Sequence, residues 1–111
     1  MGYVISSFLA IAAFLMSFST LAGEEVSFEL TLKGNQFTPA VLAIPANKRV
    51  KLTIKNLDST PAEFEGRDFK AEKIIPAGGE VSLYIGPLGA GSYSFFDEFH
   101  EDQTKGTLVV K

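Results

Sequence analysis

The chain predicts an all-β sandwich, and three observations carry that prediction. Apolar and polar residues alternate in several short runs. Gly- and Pro-containing turns separate those runs. No stretch beyond residue 24 places its apolar residues at helical spacing. Val26, Phe28, Leu30 and Leu32 alternate with polar neighbours, the mark of a strand with one buried face. Gly34-Asn35 breaks that strand. Phe37 to Ile44 reads as one extended element, confined to an edge or a boundary by Pro39 and Pro45. Ala46-Asn47-Lys48 is a turn. Val50, Leu52 and Ile54 then alternate with Arg49, Lys51, Thr53 and Lys55, giving a second half-buried strand. Residues 56–61 form a polar loop, Ala62 to Glu65 a short extended piece, and Phe69 to Ile75 an irregular stretch. After the turn Pro76-Ala77-Gly78-Gly79 come Val81, Leu83 and Ile85, the turn 86–91, and two last strands around Tyr93–Phe96 and Thr107–Val110. The alternation puts Phe28, Phe37, Leu52, Ile54, Leu83, Tyr93, Phe95 and Leu108 on inward faces.

The front of the chain points to export. Residues 1–22 carry no charged side chain, and an apolar stretch runs from Val4 to Phe18. Thr20-Leu21-Ala22 offers small residues at both key positions of a signal-peptidase site, with Gly23 next. The expectation is a signal peptide over 1–22 and a periplasmic domain over 23–111, not inserted in the membrane, which N-terminal sequencing checks by finding Gly23 first. No Lys or Arg precedes the apolar run, so an uncleaved anchor is the alternative reading. With no cysteine in the chain, a lipid-modified N-terminal cysteine is excluded.

All 10 Lys and Arg and all 13 Asp and Glu lie beyond residue 22, for a net charge of -3. That balance argues against nucleic acid and anionic lipid as partners. About 89 residues remain beyond the leader, enough for one small core. Both methionines, Met1 and Met16, are in the leader, so the exported part holds neither Cys nor Met. It has no disulfide to lean on and no soft metal ligand.

One histidine is present, His100, in a crowd of acids: Asp97, Glu98, Glu101 and Asp102. The group sits between two strands, where a β scaffold holds its chemistry. An imidazole among carboxylates is a metal-ligand composition; a solvated acidic turn is the other reading. Pro61-Ala62-Glu63-Phe64-Glu65 adds two carboxylates at i and i+2, which a strand points to one face with Phe64 on the other. Gly78-Gly79 and Gly89-Ala90-Gly91 precede strands rather than helices, so they are turns and not phosphate cradles. No hydrolase or transferase motif is present.

The order of segments resembles the cupredoxins. Asn35-Gln36-Phe37-Thr38-Pro39 followed by Ile44-Pro45-Ala46-Asn47-Lys48-Arg49-Val50 is similar to the family's early strands. Gly89-Ala90-Gly91-Ser92-Tyr93-Ser94-Phe95 resembles its approach to the copper loop, and Lys105-Gly106-Thr107-Leu108-Val109-Val110 its closing strand. The resemblance covers nearly all of residues 24–111 and implies a Greek-key β-sandwich of about seven strands. It also implies a ligand set from which this chain departs. His100 matches the loop histidine, Asp97 stands at the cysteine, Thr104 near the methionine, and Ala62 at the first histidine. What the resemblance then implies is a hard site of Glu63, Asp97 and His100, with Glu65, Glu98 and Glu101 as further ligands. The alternative for Glu63 and Glu65 is exposed strand acids.

The paired segments Pro61–Glu65 and Phe95–His100 are also similar to small periplasmic cupredoxin-like proteins of bacterial iron uptake. That likeness implies copper as cofactor, iron as substrate, and an iron permease and a second periplasmic metal-binding protein as partners. Copper-assisted oxidation of ferrous iron is the one reaction it raises. A metal-free interaction module is the competing function. Because the exported part lacks thiolate and thioether, copper added to the purified protein is expected to give no intense blue absorption. An absorption spectrum of the copper-loaded sample checks this, and a strong charge-transfer band would overturn the assignment of Asp97 to the cysteine position.

Overall fold

Alternation decides the layers. In the strand Val50–Asn56, every second residue from Val50 is buried and the intervening Lys51, Thr53 and Lys55 are half-exposed. The computed structural model describes residues 25–111. Nine strands follow in chain order: β1 (Ser27–Lys33), β2 (Gln36–Thr38), β3 (Val41–Ile44), β4 (Val50–Asn56), β5 (Ala62–Gly66), β6 (Ala71–Ile75), β7 (Glu80–Ile85), β8 (Gly91–Asp97) and β9 (Lys105–Val110). They form a four-stranded sheet in the order β2-β1-β4-β7 and a five-stranded sheet in the order β3-β9-β8-β5-β6. The sheets are mixed: β1 runs parallel to β4 and β3 parallel to β9, and the other pairs are antiparallel. Among the described residues no helix is long and apolar enough to cross a membrane. The proposed leader, residues 1–22, and its cleavage before Gly23 lie outside the described residues.

The all-β sandwich expected from the sequence is present, with nine strands where about seven were counted. Two local differences account for the excess. The run Phe37 to Ile44 is not one element: the chain passes Pro39, where no backbone N–H is available to a ladder, and changes sheets, so β2 pairs β1 and β3 pairs β9. The stretch Phe69 to Ile75 is not irregular. A 3-10 turn over Arg67–Phe69 reverses the chain, and β6 returns along the whole of β5 with Ala71 and Ile75 turned inward.

The core lies between the sheets. Leu30, Leu52, Ile54, Phe64, Ile75, Phe95 and Leu108 are almost fully buried, while Phe28, Leu83 and Tyr93 pack against them part-exposed. Phe37 from one sheet meets Phe95 from the other edge-on at 5.1 Å between ring centres, and Phe64 lies 5.4 Å from Phe95. Gly106, opposite Phe95 in register, leaves the space that the Phe95 ring fills; a Cβ there would collide with it.

Buried polar groups fix the end of the sandwich where β1, β4 and β8 finish. The β1–β2 turn has positive φ at both Gly34 (61°) and Asn35 (58°), a hairpin geometry that these two residue types tolerate. Asp58 accepts hydrogen bonds from both of their backbone N–H groups, at 2.7 and 3.1 Å. Asn56 is fully buried; its amide nitrogen lies 2.9, 3.2 and 3.3 Å from the carbonyls of Thr60, Ile75 and Pro76, and its oxygen accepts from Asp58 N–H. It therefore ties β4 in one sheet to the end of β6 in the other. Asn56→Ala is expected to lower unfolding free energy by about 2–4 kcal/mol, because it strands buried carbonyls. Asn56→Asp, which replaces the donor by a charge facing those carbonyls, is expected to cost at least as much at neutral pH; urea unfolding of both variants checks the pair.

Candidate metal centre

The same end carries Asp97, the last residue of β8. Its side chain is 1% exposed, and a buried carboxylate must be hydrogen-bonded. Oδ1 accepts from Glu63 N–H at 2.9 Å and from Phe99 N–H at 3.0 Å. Oδ2 lies 2.8 Å from His100 Nδ1. The Phe99 bond makes Asp97 the N-cap of a 3-10 turn over Glu98–His100, with Asp97 itself extended at φ -90° and ψ 110°. The Glu63 bond fastens the start of β5 to the end of β8, one step beyond the Phe64–Asp97 pair. His100 caps this arrangement from the outside with its side chain 31% exposed.

The loop after His100 closes on itself. Gln103 and Thr104 N–H groups both donate to His100 C=O at 3.0 Å, and Asp97 N–H donates to Thr104 C=O at 2.9 Å. Thr104 is fully buried and its hydroxyl donates to Asn35 C=O at 2.8 Å, joining the loop to the β1–β2 turn.

The four positions that the resemblance assigns to a blue-copper ion do not fit one. Ala62 is buried and offers no donor atom. Thr104 has its hydroxyl committed to Asn35, and Asp97 has three of its roughly four acceptor positions filled by N–H groups. Only His100 keeps a ring nitrogen that no described residue hydrogen-bonds.

A second constellation lies on the outer face of the larger sheet. Carboxylate oxygens of Glu63, Glu72 and Glu98 all lie within 4.8 Å of one another, with Glu63 half-buried and the other two exposed. Strand register brings them there: β5 pairs Glu65 with Glu72 and Glu63 with Ile74, so Glu63 and Glu72 are diagonal neighbours on one face. Glu63 is pushed up from its ordinary 4.5 to about 7, first by a hydrogen bond shared with Glu98, then by burial, then by Glu72. Glu65 is also raised, chiefly by burial and then by the charges of Glu72 and Glu98, with Arg67 pulling the other way. Its Oε2 is buried without a hydrogen-bond partner among the described residues. Arg67 stands over the Phe96 ring, 4.4 Å from its centre, and reaches Glu101 at 3.0 Å and Glu98 at 3.8 Å.

The six sequence candidates thus separate. Glu63 and Glu98 come together, Glu65 lies beside them, Glu101 pairs with Arg67, and Asp97 pairs with His100. Glu63 meets Asp97 through its backbone N–H, not through its carboxylate. Among the described residues no group of three clustered ligand atoms includes Asp97 or His100. Glu72 is the member that sequence reading missed. Its signal was the spacing of Ala71 and Ile75, which marks a strand with Glu72 on the face away from them.

The raised Glu63 sets a sign for stability. Between pH 4.5 and about 7 the folded chain holds a proton that the unfolded chain has released. The contribution is fully present below 4.5 and is lost as pH rises through about 7. Glu63→Gln keeps the shape without the charge. It is expected to unfold at higher urea than wild type at pH 8 and at the same urea at pH 4, measured with a chelator present.

Comparison with known proteins agrees with this architecture. Residues 6–110 match the family described as the cupredoxin-like domain. An uncharacterized protein of Rickettsia prowazekii (strain Madrid E), RP394, is 33% identical over 82 residues, which span 74% of this chain and 66% of that protein, a little under two thirds of its length. The Cu(I)-bound metal-binding domain of the Streptococcus pneumoniae D39 Cu(I)-exporting P-type ATPase CopA superposes with a TM-score of 0.68 at 14% identity, over 77% of this chain and 84% of that one. Reduced auracyanin from Roseiflexus castenholzii gives 0.65 at 14% identity, over 80% and 99%. A purple cupredoxin from Nitrosopumilus maritimus gives 0.58 at 20% identity, over 75% and 98%. At these identities the solved structures speak for the fold, and the family match speaks for membership: the chain belongs to the cupredoxin-like domain family.

Proposed function

We propose that this protein is a periplasmic metal-binding cupredoxin, exported by residues 1–22, that serves a bacterial iron-uptake system. It takes a divalent transition metal at Glu63, Glu72 and Glu98 and passes iron toward a permease, alongside a second periplasmic metal-binding protein. One observation carries the metal reading: three carboxylates from β5, β6 and the 3-10 turn converge within 4.8 Å, and one of them holds a proton to about pH 7 where a cation would stand. Oxygen donors of this kind suit hard ions, and the general affinity order puts copper(II) above iron(II) at any such set. The copper-binding solved relatives support metal binding. The iron association rests on the likeness of Pro61–Glu65 and Phe95–His100 to proteins of iron uptake.

The chain's own residues set the terms of binding. Glu63 must release its proton before it can coordinate, so affinity falls as pH drops through about 7. Glu98 is ion-paired with Arg67 at 3.8 Å, a contact that a bound cation would have to compete with. The competing reading, a metal-free interaction module, draws on the Asp97 network, in which hydrogen bonds occupy most of the acceptor positions of that carboxylate.

Calorimetric titration with copper(II), and with iron(II) under anaerobic conditions, tests the proposal. Wild type is expected to bind at micromolar concentration at pH 8 and more weakly at pH 6, releasing a proton. Glu63→Gln is expected to weaken binding by roughly tenfold or more. If wild type binds neither metal at micromolar concentration, the metal reading fails and the interaction module takes its place.

A further inference from the structure

We infer that Lys73 closes the open edge of the larger sheet to pairing with a second copy of this chain. β6 ends the five-stranded sheet, and among the described strands it pairs only with β5. Its outer edge therefore presents backbone N–H and C=O groups that no described strand takes up, the template on which β proteins join edge to edge. Two of the other edges are blunted by simpler means. β2 has three residues, and β3 lies between Pro39 and Pro45. β6 has five residues and no proline among them.

Lys73 stands where a core residue belongs. It lies opposite Phe64, which is 1% exposed, and between Ala71 and Ile75, which are buried. Directly opposite residues share a face, as do residues two apart along a strand, so Lys73 faces the smaller sheet. Its side chain is nonetheless exposed. From an inward face its ammonium reaches water only past the edge of β6, on the flank where β6 and β7 end the two sheets. A strand added to that edge closes the path. Two copies that pair antiparallel as one continuous sheet must bring like faces together. Lys73 then falls opposite Ala71, Lys73 or Ile75 of the second copy, according to register, and is covered in each case. The ammonium is left between two apolar layers, and β6 itself offers no carboxylate on that face. The outer face resists pairing for a different reason, since Glu63, Glu65 and Glu72 would approach their counterparts. Salt screens a repulsion between surface charges, but it does not remove the cost of burying Lys73.

Light scattering and analytical sedimentation of the purified protein, with a chelator present, test this. Wild type is expected to be monomeric, and to stay so in about 1 M sodium chloride, where surface repulsion is screened. Lys73→Val is expected to dimerise at a concentration at least about a hundredfold below any at which wild type associates, because pairing no longer buries two unpaired ammonium groups. Hydrogen exchange locates the contact: the amides of β6 that point away from β5 are expected to gain protection in the variant as its concentration rises. Lys51→Val removes the same charge from the outer face of β4, an inner strand of its sheet, and is expected to stay monomeric. A wild-type dimer, or one that forms on adding salt, overturns the inference. So does a Lys73→Val protein that stays monomeric wherever wild type does, protection gained outside β6, or equal association of Lys51→Val. Should Lys73→Val precipitate, Lys73→Thr, uncharged but polar, decides by the same measurements.

Discussion

A carboxylate with almost no exposure to water has to find donors, and the way Asp97 finds them organises one end of this molecule. Its three partners come from three places: the start of β5, the first turn after β8, and the imidazole at the close of that turn. Each partner fixes something different. The β5 contact extends the β5–β8 ladder past its last paired residues. The Phe99 contact starts the 3-10 turn, and the His100 contact fixes the ring. In a chain with no cysteine, and no methionine beyond Met16, this network of neutral and charged hydrogen bonds closes the end of the sandwich without sulfur.

A second buried polar node works beside it. Asn56 joins the two sheets, Asp58 holds the β1–β2 turn, and Thr104 hangs the copper-loop equivalent on Asn35 of that turn. The two nodes meet through Asn35, whose N–H is held by Asp58 and whose carbonyl is held by Thr104. Partial satisfaction of such networks is costly in a low-dielectric interior, whereas full satisfaction specifies one arrangement. The hydrophobic core beneath, with Phe37, Phe64 and Phe95 in mutual contact, provides the burial that makes these bonds matter.

Most of the fold could be read from alternation, because a period of two is a local signal. β1, β4, β7 and β9 announced themselves through Leu30, Leu52, Leu83 and Leu108. β6 did not, since Glu72, Lys73 and Ile74 are all exposed and only Ala71 and Ile75 are buried. That one missed strand hid Glu72 from the candidate site. The site was legible in composition but not in arrangement. Asp97 and His100 are three residues apart, and their contact follows from the turn between them. The meeting of Glu63 with Glu72 and Glu98 depends on register between strands and on where a turn projects, which no spacing along the chain reveals.

One step along β5 explains why the chemistry moves outward. Ala62, which the resemblance sets at the family's first histidine, faces the interior, and Glu63, its neighbour, faces the opposite side of the sheet because side chains alternate. Lengthening the side chain at Glu63 cannot bring it back through the sheet. On the proposed reading, an ion on this chain sits against exposed carboxylates on the outer face of the sheet, not in a dry pocket framed by thiolate. Fast electron transfer favours a ligand set that changes little between oxidation states, which a buried and rigid frame supplies. Glu72 and Glu98 are exposed, and on the proposed reading Glu63 gives up its proton near pH 7 to admit the ion. Such a set binds and lets go, and on the proposed reading that is what distinguishes a carrier of metal from a carrier of electrons on the same fold.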